Sequence, residues 1–198
     1  ADVHPNQISK VMHGTTVATN TILTGTGAKV GLVTTKGYKQ VLQIARSYVP
    51  GGLGGWVIYN KSEPLAPLAS TIEAEERMGA DGKVVRQLKK PALKSELKRI
   101  KNENIEALTV SLVHSYANSK HEKEVGKVAK EVLPGIPISL SSDVVPGMQE
   151  YERTITTVAN SYVRPKVATY VRSLQRKLTR KMKNVKLHIL RSDGGMTS

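Results

Sequence analysis

Cysteine and phenylalanine are absent from the 198-residue sequence, and aromatic residues make up only 4% of it. Without cysteine, the sequence allows no disulfide bond and offers no thiolate to a metal. No apolar run approaches the roughly 20 residues that a membrane-spanning helix needs, so we expect no membrane partner. A cysteine-free chain of this kind fits a reducing compartment, and we expect a cytoplasmic protein.

The motifs of several common sites are missing as well. The five histidines are not spaced relative to acidic residues as zinc ligands are, and the sequence predicts no metal site. The stretch GTGAK at residues 25–29 lacks the spacing of a Walker loop or of a dinucleotide-binding fingerprint. No G-x-S-x-G nucleophile elbow is present. These patterns therefore assign no function to the chain.

Acidic residues are scarce. The sequence has sixteen Asp and Glu and thirty Lys and Arg, which gives a net charge of +14. Basic clusters at residues 88–101 and 176–186 keep one alternative open, a non-catalytic nucleic-acid-binding or scaffold module. Neither cluster contains an aromatic ring for base stacking. In the first, Leu93, Leu97 and Ile100 recur at helical spacing, which places the lysines on a solvated face. The sequence therefore does not favour a nucleic-acid partner.

The hydrophobic period alternates between strand and helix along the chain. Such alternation predicts an α/β fold with a mostly parallel, mixed sheet and flanking helices. Ser119 and Glu122 have the spacing of a capping box at the start of one helix, and Pro165 should kink or split the last one. The predicted strands are 8–12, 28–34, 105–114, 136–141 and 185–190, and the main predicted helices are 15–24, 37–45, 91–103, the segment after Ser119, and 150–182.

Residues 47–86 interrupt this alternation. A long glycine- and proline-rich loop is followed by two extended arms around Asp81-Gly82, a sequence typical of a hairpin turn. Loops longer than about 12–15 residues tend to serve a function or to be disordered. We expect this segment to be an insertion that projects from the sheet, for subunit contact or substrate enclosure.

Two junctions concentrate small and polar residues: HGTT follows the first predicted strand and SDGG the last. In parallel α/β sheets, ligands bind at the carboxyl ends of the strands. Glycine lets the backbone approach a ligand closely, and a helix N-terminus offers free N–H groups to an anion. However, Ser, Thr, Asp and Gly are also ordinary helix caps. The spacing alone favours the capping interpretation.

Six segments carry a more specific signal. They read HGTTVATNTIL, GLVTTKGYKQVLQIAR, SLVHSYANSKHE, ISLSSDVVP, QEYERTITTVANSYVRP and RSDGGMTS. In this order, over essentially the whole chain, they closely resemble the hydantoinase A/5-oxoprolinase family. That family is ATP-dependent and includes N-methylhydantoinases, 5-oxoprolinases and the ATP-using subunits of acetone and acetophenone carboxylases. The segment VPGGLGGWVIYNKSEPLAPL is most similar to the ketone-carboxylase branch.

The resemblance implies an actin-like ATPase fold built from ribonuclease-H-like halves. It also implies a domain division, with an N-terminal hydantoinase/oxoprolinase-type domain at 1–146, carrying the 47–86 insertion, and the start of the next ATPase-like domain at 147–198. The family's phosphate loop, D-x-G-G-T-x-T-D, does not occur in the sequence. We therefore expect an internal fragment of a longer protein, with the main phosphate loops outside this chain.

The resemblance further implies a set of site residues. His13 is the candidate catalytic residue, and Glu152 and Arg153 could join the same cleft or form an ion pair that steadies a helix start. Asp193 stands where the family more often has asparagine, and an ionised aspartate cannot donate a hydrogen bond. The candidate substrate- or phosphate-binding residues are Gly14, Thr15, Thr16, Asn20, Ser192, Asp193, Gly194 and Gly195.

The expected function is that of the ATP-dependent subunit of a hydantoinase, oxoprolinase or ketone carboxylase. ATP, with Mg²⁺, would phosphorylate the carbonyl or amide oxygen of a cyclic amide or a ketone. A second catalytic subunit of the hydantoinase B type would complete hydrolysis or carboxylation. Such chemistry depends on positioning and charge stabilisation more than on covalent catalysis.

The missing phosphate loop leads to a first prediction. The purified 198-residue chain should unfold cooperatively on heating, because its α/β elements are complete, but it should not hydrolyse ATP. Circular dichroism and a coupled ATPase assay measure the two properties. Turnover at the rate of ordinary kinases, about 1–100 s⁻¹, would contradict the prediction, because the charge-stabilising groups would then lie within this chain.

Overall fold

The computed structural model of the protein describes residues 4, 7–46, 62–182, 185–190 and 195–197. Its elements follow one another largely as strand–helix repeats. In chain order they are β1 (Lys10–His13), α1 (Val17–Leu23), β2 (Val30–Thr35), α2 (Val41–Ile44), a 3₁₀ turn (Leu68–Ser70), β3 (Thr71–Ala74), β4 (Arg77–Met78), β5 (Val84–Arg86), α3 (Lys90–Lys101), β6 (Ala107–Ser111), α4 (Lys120–Val132), β7 (Ile138–Leu140), α5 (Ser141–Val144), α6 (Glu150–Lys181), β8 (Lys186–Leu190) and β9 (Met196–Thr197).

The chain divides into two compact units. One, the split unit, combines Ala1–Gly27 with Val163–Ser198, and the other, the continuous unit, is Ala28–Tyr162. These boundaries differ from the domains expected at 1–146 and 147–198, and that division stays a prediction.

The split unit contains a three-stranded sheet in the order β1-β8-β9. β1 and β8 are parallel neighbours although most of the chain separates them, and β9 turns back antiparallel to β8. The continuous unit contains a four-stranded, wholly parallel sheet in the order β3-β2-β6-β7. The predicted α/β class with mostly parallel strands and flanking helices is confirmed.

The core of the continuous unit lies between its sheet and the pair of helices α3 and α4. On α3 the predicted apolar positions Leu93, Leu97 and Ile100 are at most 1% exposed, and they pack with apolar side chains of β2, β3 and β6. The lysines of α3 are exposed, so the basic cluster at 88–101 is a solvated helix face, as expected. Pro91 lies in the first turn of α3, where its missing N–H leaves no hydrogen bond unmade.

The two faces of strand β6 carry different side chains, and helices cover both faces of this sheet. Leu108 and Val110 belong to the apolar core beside α3 and α4. The alternate residues carry hydroxyls that bond to the first half of α6: Thr109 Oγ1 donates to Ser161 Oγ at 2.7 Å, and Ser111 Oγ lies 2.7 Å from Thr154 Oγ1. The two-residue period of the strand therefore separates an apolar face from a hydroxyl-lined one.

Part of the predicted insertion belongs to the sheet instead. The hairpin is confirmed, because β4 and β5 pair antiparallel and Gly82 has a φ of +75° in the turn between them. However, Thr71–Ala74, expected as a projecting arm, is strand β3 and pairs in parallel with β2. Its residues Thr71, Ile72 and Ala74 are buried. Burial against the sheet therefore determines the position of this segment, and the hairpin turn that follows it does not. Residues 47–61 lie outside the described part.

The capping box expected at Ser119 is wrong, and of the two outcomes expected at Pro165, a kink or a split of the helix, the split is excluded. Ser119 precedes α4 but makes no side-chain cap hydrogen bond. The Glu122 carboxylate, which a capping box would direct back to the Ser119 N–H, is bonded to Leu112, Ser141 and Ser142 instead. α6 is one helix that contains Pro165, so it is not split in two; a proline removes one backbone hydrogen bond, and the 32-residue helix retains the others. No helix in the described part is long and apolar enough to cross a membrane.

The packing of α3 gives a second prediction. Leu97→Ala should lower the free energy of unfolding by about 2–5 kcal/mol, because it leaves a cavity in a closed core. Chemical denaturation followed by circular dichroism measures the change. The neighbouring substitution Lys98→Ala removes a solvated side chain and should change stability by less than about 0.5 kcal/mol. Equal effects of the two would contradict the assigned helix face.

Candidate functional site

The carboxyl end of β1 holds the first candidate residues. His13 is the last residue of β1 and lies opposite Ile189 of β8. Because the two strands are parallel, the chain leaves both at the same edge of the sheet. A methyl group added to Gly14 would lie 3.8 Å from Leu190 Cδ1. The turn after β1 therefore lies directly beside the end of β8.

The ring of His13 is held by a partner on α6. Its Nε2 lies 2.7 Å from the hydroxyl of Tyr170, and the two ring centroids are 5.8 Å apart. His13 is half-buried, and Nδ1 makes no hydrogen bond to any residue that the structure describes. The contact with Tyr170 fixes the orientation of the imidazole and leaves its second nitrogen available.

The residues after His13 bond mainly to one another. Thr15 Oγ1 accepts from the backbone N–H of Val17 at 3.2 Å, and Thr16 Oγ1 accepts from Asn20 Nδ2 at 3.3 Å. Thr16 is the residue before α1 but gives no side-chain cap. Gly14, Thr16 and Asn20 are exposed. Thr15 thus performs a local capping role, while the exposed groups beside it remain open to solvent.

The second candidate junction is only partly visible. Ser192, Asp193 and Gly194 lie outside the described residues. Gly195 is described and immediately precedes Met196, which pairs with Leu190. The chain therefore returns at Gly195 to the edge where β8 ends. β1 and β8 both end at this edge, and that Ser192, Asp193 and Gly194 lie there too stays a prediction.

Glu152 lies in the first turn of α6, within the continuous unit, and forms an ion pair with Arg46. The hydrogen bond from the Arg46 guanidinium holds the pKa of the Glu152 carboxyl below its usual value. The Glu152 side chain is 38% exposed, so solvent screens the pair and its effect on stability is small.

Arg153 is only 1% exposed and is surrounded by fixed acceptors. It forms an ion pair with Glu150 one turn earlier, and its guanidinium carbon lies 5.6 Å from the centre of the Tyr116 ring. These contacts favour the alternative of an ion pair that steadies the start of the helix. The guanidinium also donates to Leu112 O at 2.7 Å, Gly147 O at 2.8 Å and Ser141 Oγ at 3.0 Å.

Beside Arg153 lies a buried carboxylate that the sequence analysis missed. Glu122, on α4, is fully buried. Its Oε1 accepts from the backbone N–H of Leu112 at 2.9 Å and from the Ser141 hydroxyl at 2.6 Å, and its Oε2 accepts from the N–H of Ser142 at 2.9 Å. Because Arg153 also donates to Ser141, one hydroxyl connects the two opposite charges.

A second buried pair lies at the same edge of the four-stranded sheet. His121 Nδ1 is 2.7 Å from Glu76 Oε2, and both side chains are at most 2% exposed. Thr35, the last residue of β2, donates to Glu76 and accepts from the N–H of Val113 at 3.0 Å. His121 Nε2 has no hydrogen-bond partner among the described residues. This network joins β2, the segment after β3 and α4.

The two buried networks around Glu122 and His121 are indicated by the positions of their residues relative to the strands and not by residue type. The spacing of Ser119 and Glu122 predicts a capping box, and the run Lys-His-Glu at 120–122 is typical of an exposed helix start. However, Thr35, Glu76 and Ser141 each end or follow a strand of one parallel sheet, and polar residues in that position meet at a single edge. The predicted strands at 28–34 and 136–141 indicate this position for Thr35 and Ser141, whereas Glu76 could not be placed because strand β3 was not predicted.

The described residues offer no site for a resident metal. Nowhere in the described ranges do three or more His, Cys, Asp or Glu side chains come together in a way that could hold an ion. Mg²⁺ requires oxygen ligands in near-octahedral geometry, usually one or two carboxylates together with phosphates and water. The Mg²⁺ expected with ATP is therefore not shown by the described part of this chain and stays a prediction.

Fold and junctions together describe an α/β protein with polar groups at the carboxyl ends of parallel strands. Comparison with known sequences gives the family: residues 1–133 match the hydantoinase/oxoprolinase N-terminal region, and residues 153–198 match hydantoinase/oxoprolinase. The chain belongs to the hydantoinase/oxoprolinase family, and the resemblance described above is confirmed.

Individual relatives extend the comparison. An uncharacterised protein of Methanocaldococcus jannaschii is 32% identical over 201 residues, covering 100% of this chain and 29% of the relative. The acetophenone carboxylase gamma subunit of Aromatoleum aromaticum is 30% identical over 168 residues, covering 79% and 23%. The crystal structure of the ATP-dependent caprolactamase from Pseudomonas jessenii superposes with a TM-score of 0.88 at 26% identity, covering 96% of this chain and 28% of that one. The chain spans less than a third of each.

The buried carboxylate gives a third prediction. Glu122→Gln should destabilise the protein by about 1.5–3 kcal/mol, the range for hydrogen bonds to a charged group. The new NH₂ group would face an N–H or hydroxyl donor and leave one of them unpaired. Thermal and chemical unfolding measure the loss.

Glu124→Gln is the matched control, two residues further along α4. Glu124 pairs with Lys90 at the surface at 3.2 Å, and such pairs contribute about 0–1 kcal/mol. A Glu122 variant as stable as the Glu124 variant would show that the three hydrogen bonds of Glu122 have no net effect.

Proposed function

We propose that the chain is part of the ATP-dependent subunit of an enzyme that activates a carbonyl or amide oxygen by phosphorylation, for hydrolysis or carboxylation. The family assignment carries this proposal. It is supported by two relatives of different chemistry, since one is named as a carboxylase of acetophenone and the other as an ATP-dependent caprolactamase. Both names imply a substrate with a poorly reactive carbonyl group.

The proposed substrate is accordingly a cyclic amide or a ketone. Its carbonyl oxygen gains negative charge as it accepts a phosphoryl group, and preorganised donors stabilise such charge. ATP, when bound, supplies the phosphoryl group. Within this chain, the donors available at the β1 edge are His13 and the exposed groups of Gly14, Thr16 and Asn20.

His13 is the proposed catalytic residue. With Nε2 engaged by the Tyr170 hydroxyl, the imidazole presents Nδ1 in a fixed direction, and a positioned donor needs no reorganisation during reaction. Ser192, Asp193, Gly194 and Gly195 are proposed to line the same site from the end of β8. This part of the proposal is supported by the parallel pairing of β1 with β8.

The whole protein is proposed to act with a second catalytic subunit of the hydantoinase B type. The designation of one relative as a gamma subunit supports an assembly of several chains. We also propose a cytoplasmic location, which the absence of cysteine supports.

The test uses the full-length protein with its partner subunit. His13→Ala should lower kcat by about 10²–10³-fold, as the loss of one oxyanion donor does, while the melting temperature changes little. Steady-state kinetics with caprolactam, 5-oxoproline and acetophenone, together with thermal unfolding, measure both effects.

Two matched variants separate catalysis from structure. Tyr170→Phe keeps the imidazole but removes its hydroxyl partner, so it should cost less activity than His13→Ala. Thr15→Ala removes the acceptor of the Val17 N–H, and a purely capping role would cost about 0.5–2 kcal/mol of stability with unchanged turnover per folded molecule. If His13→Ala shows that same pattern, its proposed catalytic role is wrong.

A further inference from the structure

Charge is distributed very unevenly along the sequence. Fifteen of the sixteen acidic residues precede residue 153, whereas residues 153–192 contain eleven Lys and Arg and no Asp or Glu. This basic stretch includes most of α6 and all of β8. No acidic side chain close in sequence is therefore available to neutralise the second half of α6.

Three arginines of that half form a row along the helix. Arg172, Arg176 and Arg180 follow one another at intervals of four residues, and all three are exposed. Tyr170, which bonds to His13, lies on the other side of the helix, together with the half-buried Leu174 and Leu178. The arginine row, as we call Arg172, Arg176 and Arg180, is thus the solvent face of α6 in the split unit.

The arginine row borders a groove with a volume of about 700 Å³. Its described lining residues are polar or basic and include no carboxylate. Thr169, Gln175 and Thr179 alternate with the three arginines along it. Most of the lining surface is the carbon of these side chains, and their hydroxyl, amide and guanidinium ends supply the hydrogen-bond donors to an anionic partner.

No ion pair of the described residues involves the arginine row. The only hydrogen bond of these guanidinium groups within the described residues is that from Arg172 Nε to Ala168 O at 3.2 Å. Like charges four residues apart destabilise a helix. Arg180 lies in the last turn, where the helix dipole stabilises a cation. Arg172 and Arg176 lie further from the end of the helix, so the dipole does not explain why these positions are arginine.

We infer that the arginine row is a docking surface for an acidic helix of a partner protein. A row of carboxylates at four-residue intervals has the same spacing of about 6 Å along its helix as the arginines have along α6. Guanidinium groups bind carboxylates in a bidentate manner, which gives such a contact both register and strength. This surface is separate from the β1 edge and does not depend on the catalytic role proposed for His13.

A nucleic acid could bind to the same positive charge, but the arginine row has fewer features that suit a nucleic acid than features that suit a helix. No aromatic side chain lines the groove within the described residues, so a single strand would find no stacking platform. The arginines form one line along one face, which matches a facing helix. Duplex DNA therefore serves as the competing probe in the test.

The experiment measures binding of the 198-residue chain to fluorescent probes by anisotropy, at about 0.05–0.3 M salt. The first probe is an alanine-rich helical peptide of about 20 residues with glutamate at every fourth position, and the second has the same glutamates spread around the helix. The third probe is a DNA duplex of about 20 base pairs. We expect the first peptide to bind most tightly.

Replacing Arg172, Arg176 and Arg180 together by glutamine should weaken binding of the first peptide about tenfold or more, since it removes three charge pairs. The control variant replaces Lys98, Lys101 and Lys130 by glutamine. These lysines are exposed and form no ion pair among the described residues, so their replacement should change peptide binding less than about twofold. Circular dichroism confirms that both variants are folded.

A charge exchange completes the test. Replacing the three arginines by glutamate should abolish binding of the acidic peptide and create binding of a peptide with lysine at every fourth position. Four outcomes would overturn the inference: equal loss in the arginine and lysine variants, equal binding of the two acidic peptides, tighter binding of the DNA duplex, or no binding of any probe.

Discussion

The buried carboxylate of Glu122 is the interaction on which the continuous unit depends. It accepts hydrogen bonds from the residue after β6 and from the residues that begin α5, and through the Ser141 hydroxyl it is linked to Arg153 of α6. Burying an ionised group is costly unless its hydrogen bonds are made. Here each carboxylate oxygen has a donor. The hydrogen bonds of this carboxylate thus connect the ends of β6 and β7 with helices α4, α5 and α6.

The parallel strands of the two units carry different kinds of side chains at their carboxyl ends. At the carboxyl edge of the four-stranded sheet, Glu76, His121 and Glu122 are buried and hydrogen-bonded to backbone groups, to hydroxyl side chains or to one another, so their role is structural. At the β1 edge, Gly14, Thr16 and Asn20 are exposed, and within the described part of the chain the His13 ring has one hydrogen-bond partner, Tyr170. Polar groups that remain accessible at such an edge suit ligand binding. This contrast supports the choice of the β1 edge over the more polar one.

The fold followed closely from the periodicity of the sequence, because burial produces the pattern that was read. The stripe of Leu93, Leu97 and Ile100 predicted α3 and is its buried face, and Val125, Val128 and Ala129 form the corresponding buried face of α4. Strand β3 was missed, because four residues next to a hairpin turn carry no period long enough to show a parallel partner.

The site was predictable only in part. His13 and its neighbours came from the resemblance to a family, since spacing alone favoured a cap. Glu122 and His121 could not be placed from their type, because a Lys-His-Glu run looks exposed until the strands around it are known. The role of Thr15 depends on which hydroxyl lies nearest the Val17 N–H, a choice set by backbone angles that the sequence does not display.

The division of the chain also has a consequence for the order of folding during synthesis. The continuous unit, Ala28–Tyr162, is uninterrupted in sequence, whereas the sheet of the split unit needs β1 from one end and β8 from the other. As the chain leaves the ribosome, the continuous unit is complete before β8 has been made, and domains generally fold as units from the N-terminal side. Until then β1 lacks its partner, and the exposed edge of an unpaired strand can pair with another chain. The β1 strand therefore stays open to such intermolecular pairing until β8 is available.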